Sequence, residues 1–302
     1  MTSTSILITG GTGFLGSALA RRLLAKQYTV TVFGRDAAKI RQQFGSAVGA
    51  VTRFADLPDA GAFDAVVNLA GAGIFDRYWT AARKQILRDS RIELTRALVT
   101  WIAAGSKAPV LVNGSAIGIY GDQGDSVLSE TSPAKTDFAQ QLCADWEAAA
   151  LAAADHGSRV CLIRTGLVLG RGGGLLQRML PAFRLGLGGS MGNGRQWMSW
   201  IHLDDWLDIA EAMIADPTMS GAYNATAPEP VTNREFSLSL AEVLGRPMLL
   251  PLPAGLLKLL LGEMAALVLG SQRVKPERLL AQGFEFQYSR LRPALDAILH
   301  NS

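Results

Sequence analysis

Cysteine and histidine are scarce, with two of the former and three of the latter in 302 residues. Cys143 and Cys161 fall in a helical and a strand pattern, with no C-x-x-C and no ligand spacing. That excludes a disulfide framework and a zinc site, and it reads as two buried thiols in a reducing, cytoplasmic setting. None of His156, His202 and His300 stands in a triad pattern, and Ser115 lacks the G-x-S-x-G context of a hydrolase nucleophile. Charge is low as well: 18% of residues are charged, the net charge is +3, and the arginines are scattered through helical patterns. No nucleic acid is expected as a partner. No low-complexity tract and no secretory leader pattern is visible. The most hydrophobic stretch, 249–270, is interrupted by Pro251, Pro253, Lys258 and Glu263, so packed helices are expected there and no membrane span. What remains is a globular chain for which a small-molecule partner is expected, and with which a homodimer is compatible.

What the chain does have is apolar residues, 49% of the total, and a glycine turn near its start. The run 6–16 is a short apolar strand that breaks at Gly10, Gly11 and Gly13 and enters a helical pattern at Gly16. It spells G-x-G-x-x-G from Gly11 and G-x-x-G-x-x-G from Gly10, two forms of one dinucleotide-binding fingerprint. The first glycines permit a sharp turn with bare backbone against a pyrophosphate, and Gly16 lets the helix lie close to the sheet. The free N–H groups at the helix start then hold the phosphates. A second strand, 28–33, ends at Gly34-Arg35-Asp36. A carboxylate here binds the ribose 2′-hydroxyl of NAD, whereas an arginine accommodates a 2′-phosphate. Arg35 therefore points to NADP, and Asp36 reads as the N-cap of the helix 37–44.

Alternating strand and helix patterns continue. A short strand at 50–54 precedes Asp56-Leu57, and a fourth at 63–69 runs into Ala70-Gly71-Ala72-Gly73. One long helix is expected over 80–104, a fifth strand over 110–115, a helix over 137–155 and a sixth strand over 159–169. Ser115 and Tyr120 stand at the carboxyl end of the fifth strand, where open α/β sheets bind ligands, although a turn cap and a packed ring would explain them equally. The glycines of 170–174 read as a mobile loop. So does 186–195, with five glycines in ten positions, which is expected to order on substrate. The class is α/β: a doubly wound parallel Rossmann sheet with a smaller mixed C-terminal domain.

Thr9 to Gly16, Asn68-Leu69-Ala70-Gly71, Ser115 with Tyr120-Gly121, Ile201-His202-Leu203-Asp204-Asp205 and Gly283-Phe284 together resemble the extended short-chain dehydrogenase/reductases. That group contains the nucleotide-sugar epimerases and dehydratases. Arg77-Tyr78-Trp79-Thr80, the run Leu142 to Glu147 and the run Phe183 to Gly189 resemble its atypical, epimerase-like branch. The resemblance implies that Gly10, Thr12, Gly13, Phe14 and Leu15 line the pyrophosphate and Arg35 the 2′-phosphate. It further implies that Asp56 and Leu57 meet the adenine, and that Leu69, Ala70 and Gly71 meet the ribose and nicotinamide. It divides the chain into a cofactor domain, 1–165 with 200–226, and a substrate domain, 166–199 with 227–302.

One departure bears on mechanism. The parent superfamily lowers a tyrosine pKa with a lysine four residues on. The tyrosines here, at 28, 78, 120, 223 and 288, are followed at that spacing by Val32, Ala82, Gly124, Ala227 and Arg292. On the expected helix the equivalent positions look to be Phe138 and Leu142. Ser115 and Tyr120 are then the candidate catalytic residues of an NADP-dependent oxidoreductase or epimerase-like enzyme acting on a carbonyl or hydroxyl compound. The alternative is a non-catalytic NADP-binding or redox-sensing protein.

Overall fold

Alternation inside the apolar runs decides how the molecule is layered, because successive side chains of a strand point to opposite faces. The computed structural model describes residues 4–249 and 251–300. In β1 (Ser5–Thr9), Ile6 and Ile8 pack with Leu19 and Leu23 of α1 (Phe14–Ala25), while Leu7 faces the other way, toward Leu98, Leu111 and Leu162. With both faces covered, the strands are buried and parallel. They are β2 (Thr29–Phe33), β3 (Gly49–Val51), β4 (Ala65–Asn68), β5 (Val110–Ala116), β6 (Val160–Thr165) and β7 (Gly221–Ala225). Their spatial order is β7-β6-β5-β4-β1-β2-β3, so the direction of winding reverses between β1 and β4. The doubly wound parallel sheet expected above is thus present. Its crevice lies at the carboxyl ends of β1 and β4, the place where such sheets take ligands.

The helices that position the site are α2 (Ala37–Phe44), α3 (Ala81–Asp89), α4 (Ile92–Ala103), α5 (Phe138–Leu151), α6 (Gly174–Arg184) and α7 (Leu203–Ala215). The single helix expected over 80–104 is two, α3 and α4. The backbone turns at Ser90, whose hydroxyl accepts the N–H of Ala72 at 3.0 Å, and at Arg91. The sixth strand is also shorter than expected. At Gly166 an added Cβ would lie 2.4 Å from the Ser199 carbonyl, and the chain leaves the sheet there so that Leu167–Leu169 pairs with Trp200–His202. This pair leads into a second core, where Leu169 and Trp200 meet Phe183, Phe236, Leu240 and Leu295.

Both glycine-rich segments, expected as mobile loops, make close contacts at particular glycines. Gly173 lies so close to Phe14 that a Cβ would stand 2.3 Å from its ring, and Gly174 begins α6. The segment 186–195 is tied to the second core. Met191 N–H donates to Asn233 Oδ1 at 2.7 Å, Gly192 N–H to the Leu252 carbonyl at 2.8 Å, and Ser190 C=O accepts from Leu252 at 2.8 Å. Glycine here serves close approach, and the entropy it would otherwise retain is offset by those bonds.

One buried carboxylate fastens the C-terminal segment to the sheet. Asp205, in the first turn of α7, accepts the N–H groups of Gln287 at 2.7 Å and Tyr288 at 3.1 Å. Burial pushes its pKa up to about 6, against the pull of those two hydrogen bonds. In the unfolded chain the same group loses its proton near an ordinary value of about 3.9. Between those two values the folded state holds more protons, so the contribution of Asp205 to stability falls as pH rises through the window and is flat above it. Urea unfolding of wild type and Asp205→Asn across that range should show the stability difference shifting against wild type as pH increases and levelling off above the window. A difference independent of pH would contradict this reading.

Candidate functional site

The turn after β1 is built from close approaches that only glycine tolerates. Gly10 has φ +69°, and a Cβ there would stand 2.7 Å from the Leu69 carbonyl carbon. A Cβ on Gly16 would stand 2.4 Å from the Gly10 oxygen. The Gly10 carbonyl accepts from Gly13 N–H at 2.9 Å, and α1 starts with no side-chain cap and no acidic residue in its first turn. Its N-terminal donors are left for an incoming anion. Gly13 is exposed, while Thr12, Phe14 and Leu15 are half-buried around it.

Beneath this turn runs a buried polar chain that the sequence patterns did not signal. Thr9 Oγ1 donates to Asn68 Oδ1 at 2.6 Å, and Asn68 Nδ2 donates to Thr95 Oγ1 at 2.8 Å and Asn113 Oδ1 at 2.6 Å. Trp146 Nε1 donates to Thr95 Oγ1 at 3.0 Å. The chain links the carboxyl ends of β1, β4 and β5 to α4 and α5. It also sets the turn of Leu69, Ala70 and Gly71, since Ala70 N–H donates to Thr9 Oγ1 at 3.2 Å. Leu69 and Ala70 are half-buried, and Gly71 is exposed.

At the tip of β2, Arg35 is exposed and has no ion-pair partner among the described residues. Asp36 caps α2 by accepting the Lys39 N–H at 3.1 Å. Asp56 is less free than its expected role requires, because Arg53 holds both of its oxygens, at 2.8 and 2.6 Å. The Arg53 hydrogen bond also keeps the carboxyl below its usual pKa. Leu57 is half-buried and packs beside Phe63 and Val66.

Ser115 and Tyr120 meet in one network at the end of β5. Ser115 Oγ donates to Glu147 Oε1 at 2.6 Å, and Arg164 grips both oxygens of Glu147 through Nε and Nη2, each at 2.8 Å. Arg164 Nη1 donates to the Tyr120 hydroxyl at 3.0 Å, and that hydroxyl donates to Asn224 Oδ1 at 2.6 Å. Burial works against the Arg164 charge, but the hydrogen bonds and charge of Glu147 outweigh it and raise its pKa. Tyr120 is 1% exposed, and burial raises its pKa despite Arg164. Tyr120, expected as a candidate catalytic residue at the carboxyl end of β5, has its hydroxyl held by Arg164 and Asn224. It is enclosed and fully engaged.

The comparison of α5 with a Tyr-x-x-x-Lys helix shifts by one residue. Phe138 and Leu142 face the Trp79 cluster, with the Phe138 and Trp79 rings 4.9 Å apart. The positions that face β5 and the turn after it are Ala139 and Cys143, both beside Gly118. Neither supplies a proton at neutral pH, because burial pushes the Cys143 thiol up to about 12. Sequence reasoning also missed Arg91. Its guanidinium lies under Gly71, 2.8 Å from where a Cβ would be, and stacks 5.3 Å from the Trp146 ring. Among the described residues no group of three or more His, Cys, Asp or Glu could hold a metal ion. No helix among them is long and apolar enough to cross a membrane.

Comparison with known proteins agrees with this geometry. Residues 6–225 match the model of the NAD dependent epimerase/dehydratase family, and residues 252–298 match a domain of unknown function (DUF1731). An epimerase family protein of Mycobacterium bovis is 40% identical over 98% of this chain and 97% of its own length. The chloroplastic SDR39U1 homolog of Arabidopsis thaliana is 39% identical over 98% of this chain and 86% of its own length. The crystal structure of human epimerase family protein SDR39U1 with NADPH is 34% identical, with a TM-score of 0.90 over 99% of this chain and 100% of that one. UDP-glucuronic acid 4-epimerase from Bacillus cereus, at 17% identity and a TM-score of 0.78, shares the fold. The epimerase-like resemblance read from the motifs is thereby shown, and the chain belongs to the NAD dependent epimerase/dehydratase family.

Proposed function

We propose that this chain binds NADP(H) along the β1–β4 crevice and exchanges a hydride with a small carbonyl or hydroxyl compound held by residues 166–199 and 227–302. The observation that carries the reading is the uncapped, glycine-cradled start of α1 beside an unpaired Arg35. The human relative solved with NADPH supports it. Gly10, Thr12, Gly13, Phe14 and Leu15 would hold the pyrophosphate, Arg35 the 2′-phosphate, and Leu69, Ala70 and Gly71 the nicotinamide side. Leu57 would line the adenine, with Asp56 contributing through its backbone because Arg53 occupies its carboxylate. The cofactor supplies the hydride; the protein supplies position and polarity. Two buried free thiols suit a reducing compartment such as the cytoplasm.

Ser115 is the residue we assign to substrate contact. Its hydrogen is given to Glu147, so its oxygen presents lone pairs and accepts from a substrate hydroxyl. Tyr120 acts through Arg164 and Asn224 as a positioning residue. A second reading, a non-catalytic NADP-binding or redox-sensing protein, is favoured by one observation: neither Ala139 nor Cys143, on the helix face beside β5, offers a proton.

Two measurements test the proposal. A charge-assisted contact to the 2′-phosphate contributes about 1.5–3 kcal/mol, so calorimetry should find NADPH bound tenfold to about a hundredfold tighter than NADH, with Arg35→Gln removing the difference. Equal affinities in wild type would defeat it. With any substrate that consumes NADPH, Ser115→Ala should lower kcat about a hundredfold, the range for lost acid/base or polar help. Tyr120→Phe should lower kcat less and leave the shape of the pH profile unchanged. A pH limb that disappears in Tyr120→Phe would make Tyr120 the proton carrier instead.

A further inference from the structure

Among the described residues, three arginines of the segment joining β4 to α4 have no ion pair: Arg77, which is exposed to solvent, and Arg83 and Arg91, which are partly buried. Arg91 opens α4, and its Nη1 donates to the carbonyls of Ala72 at 3.1 Å and Leu87 at 3.2 Å. Its Nε and Nη2 edge lies under exposed Gly71, with a Cβ there 3.1 and 3.0 Å away, and no acceptor among the described residues meets that edge. Arg83, one helix earlier, donates from Nη2 to the Gly73 carbonyl at 2.6 Å, while its Nε is buried with no hydrogen-bond partner. The two guanidinium groups hold adjacent carbonyls, Ala72 and Gly73, and burial pulls the Arg91 pKa down against Cys143, with the like charge of Arg83 adding to the fall.

Neighbouring cations show what is missing. Lys84 is paired with Glu263, Arg88 with Asp145 at 2.6 Å, and Arg178 with Asp76 at 3.2 Å. Asp76, taken by Arg178, lies against Gly73, where a Cβ would stand 2.1 Å from its Oδ2, and Arg83 and Arg91 have no ion pair among the described residues. Two partly buried like charges raise the energy of the empty protein, and the unmet donors add to it. Such a cluster persists where a ligand completes it. Guanidinium forks match the planar or tetrahedral oxygens of a carboxylate or a phosphate. Trp79, with Nε1 bonded to the Ile74 carbonyl at 3.0 Å, and Trp146, stacked on Arg91, pack beside this segment.

We infer that Arg83 and Arg91, across the Gly71–Gly73 turn, form a binding site for an anionic group, a carboxylate or phosphate, of the second ligand. The inference rests on the proposed function only in making that ligand the substrate. An anion fixed beside Gly71 would set the substrate's reactive carbon toward Ser115, so the substrate class is an acidic hydroxyl or carbonyl compound.

Inorganic phosphate and malonate are titrated separately into the full chain, with and without saturating NADPH, following tryptophan fluorescence. One or both should bind in both conditions, the stronger of the two naming the anion. Arg83→Met and Arg91→Met should each weaken binding about tenfold or more, the range for a lost charge-assisted fork, while Arg83→Met leaves NADPH affinity unchanged. Arg91→Lys, which keeps the charge and so guards against misfolding of the methionine variant, should recover part of the loss. The inference is overturned if neither anion binds, if the arginine variants bind them as wild type does, or if saturating NADPH abolishes binding, which would give the arginines to the cofactor. Failure of NADPH itself to bind overturns the proposed function and leaves the titration of the free protein to decide the anion site.

Discussion

The buried ion pair between Glu147 and Arg164 is the constraint on which the site depends. Its two hydrogen bonds, both 2.8 Å, join α5 to β6, and each partner reaches one further element: Glu147 accepts from the Ser115 hydroxyl on β5, and Arg164 donates to the Tyr120 hydroxyl. Arg164 also donates to the Glu130 carbonyl, and the Glu130 side chain accepts the Asn224 N–H at 3.0 Å on β7. Removing one partner of such a pair costs about 3–5 kcal/mol, because the other charge is left uncompensated. That cost explains why the orientation of Ser115 is not a free variable. Its hydrogen is committed to Glu147, which leaves the oxygen only as an acceptor.

A second constraint, steric rather than electrostatic, sets the cofactor side. Gly10 and Gly16 approach Leu69 and each other too closely for any side chain, which brings the β1 turn and the β4 turn together. The Thr9, Asn68, Thr95 and Asn113 chain then fixes the same two turns from below. Glycines above and a satisfied polar network beneath leave a rigid floor. On that floor the exposed groups are Gly13, Gly71 and Arg35, the places where a charged ligand can meet the protein without displacing anything.

Much of this was legible in the residues, for a physical reason. The glycine spacing, the Asp36 cap and the strand alternation are local, and each needs only near neighbours to take effect. Ser115 at the end of β5 is legible too, because the carboxyl end of a parallel strand is a generic ligand position. The rest depends on contacts distant in sequence. Residue 138 or residue 139 as the position facing β5 depends on how α5 rolls against Gly114 and Gly118, which the helix's own pattern does not encode. Gly166 ends β6 because of Ser199, thirty-three residues away, and Gly170, Gly173 and Gly174 lie against Phe14. Arg83 and Arg91 stand out only against the carboxylates that neighbouring cations have already taken.

The proposed arrangement lays a dinucleotide across the β1–β4 crevice, with its reactive end between Ser115 and Gly71 and with Arg91 below. A crystal structure of the chain grown with NADPH tests that arrangement most directly. The account predicts the 2′-phosphate against Arg35, the pyrophosphate on the N–H groups that open α1, and the nicotinamide ring over Gly71 facing Ser115. A 2′-phosphate turned to solvent, or a nicotinamide ring ordered outside the crevice, would contradict it.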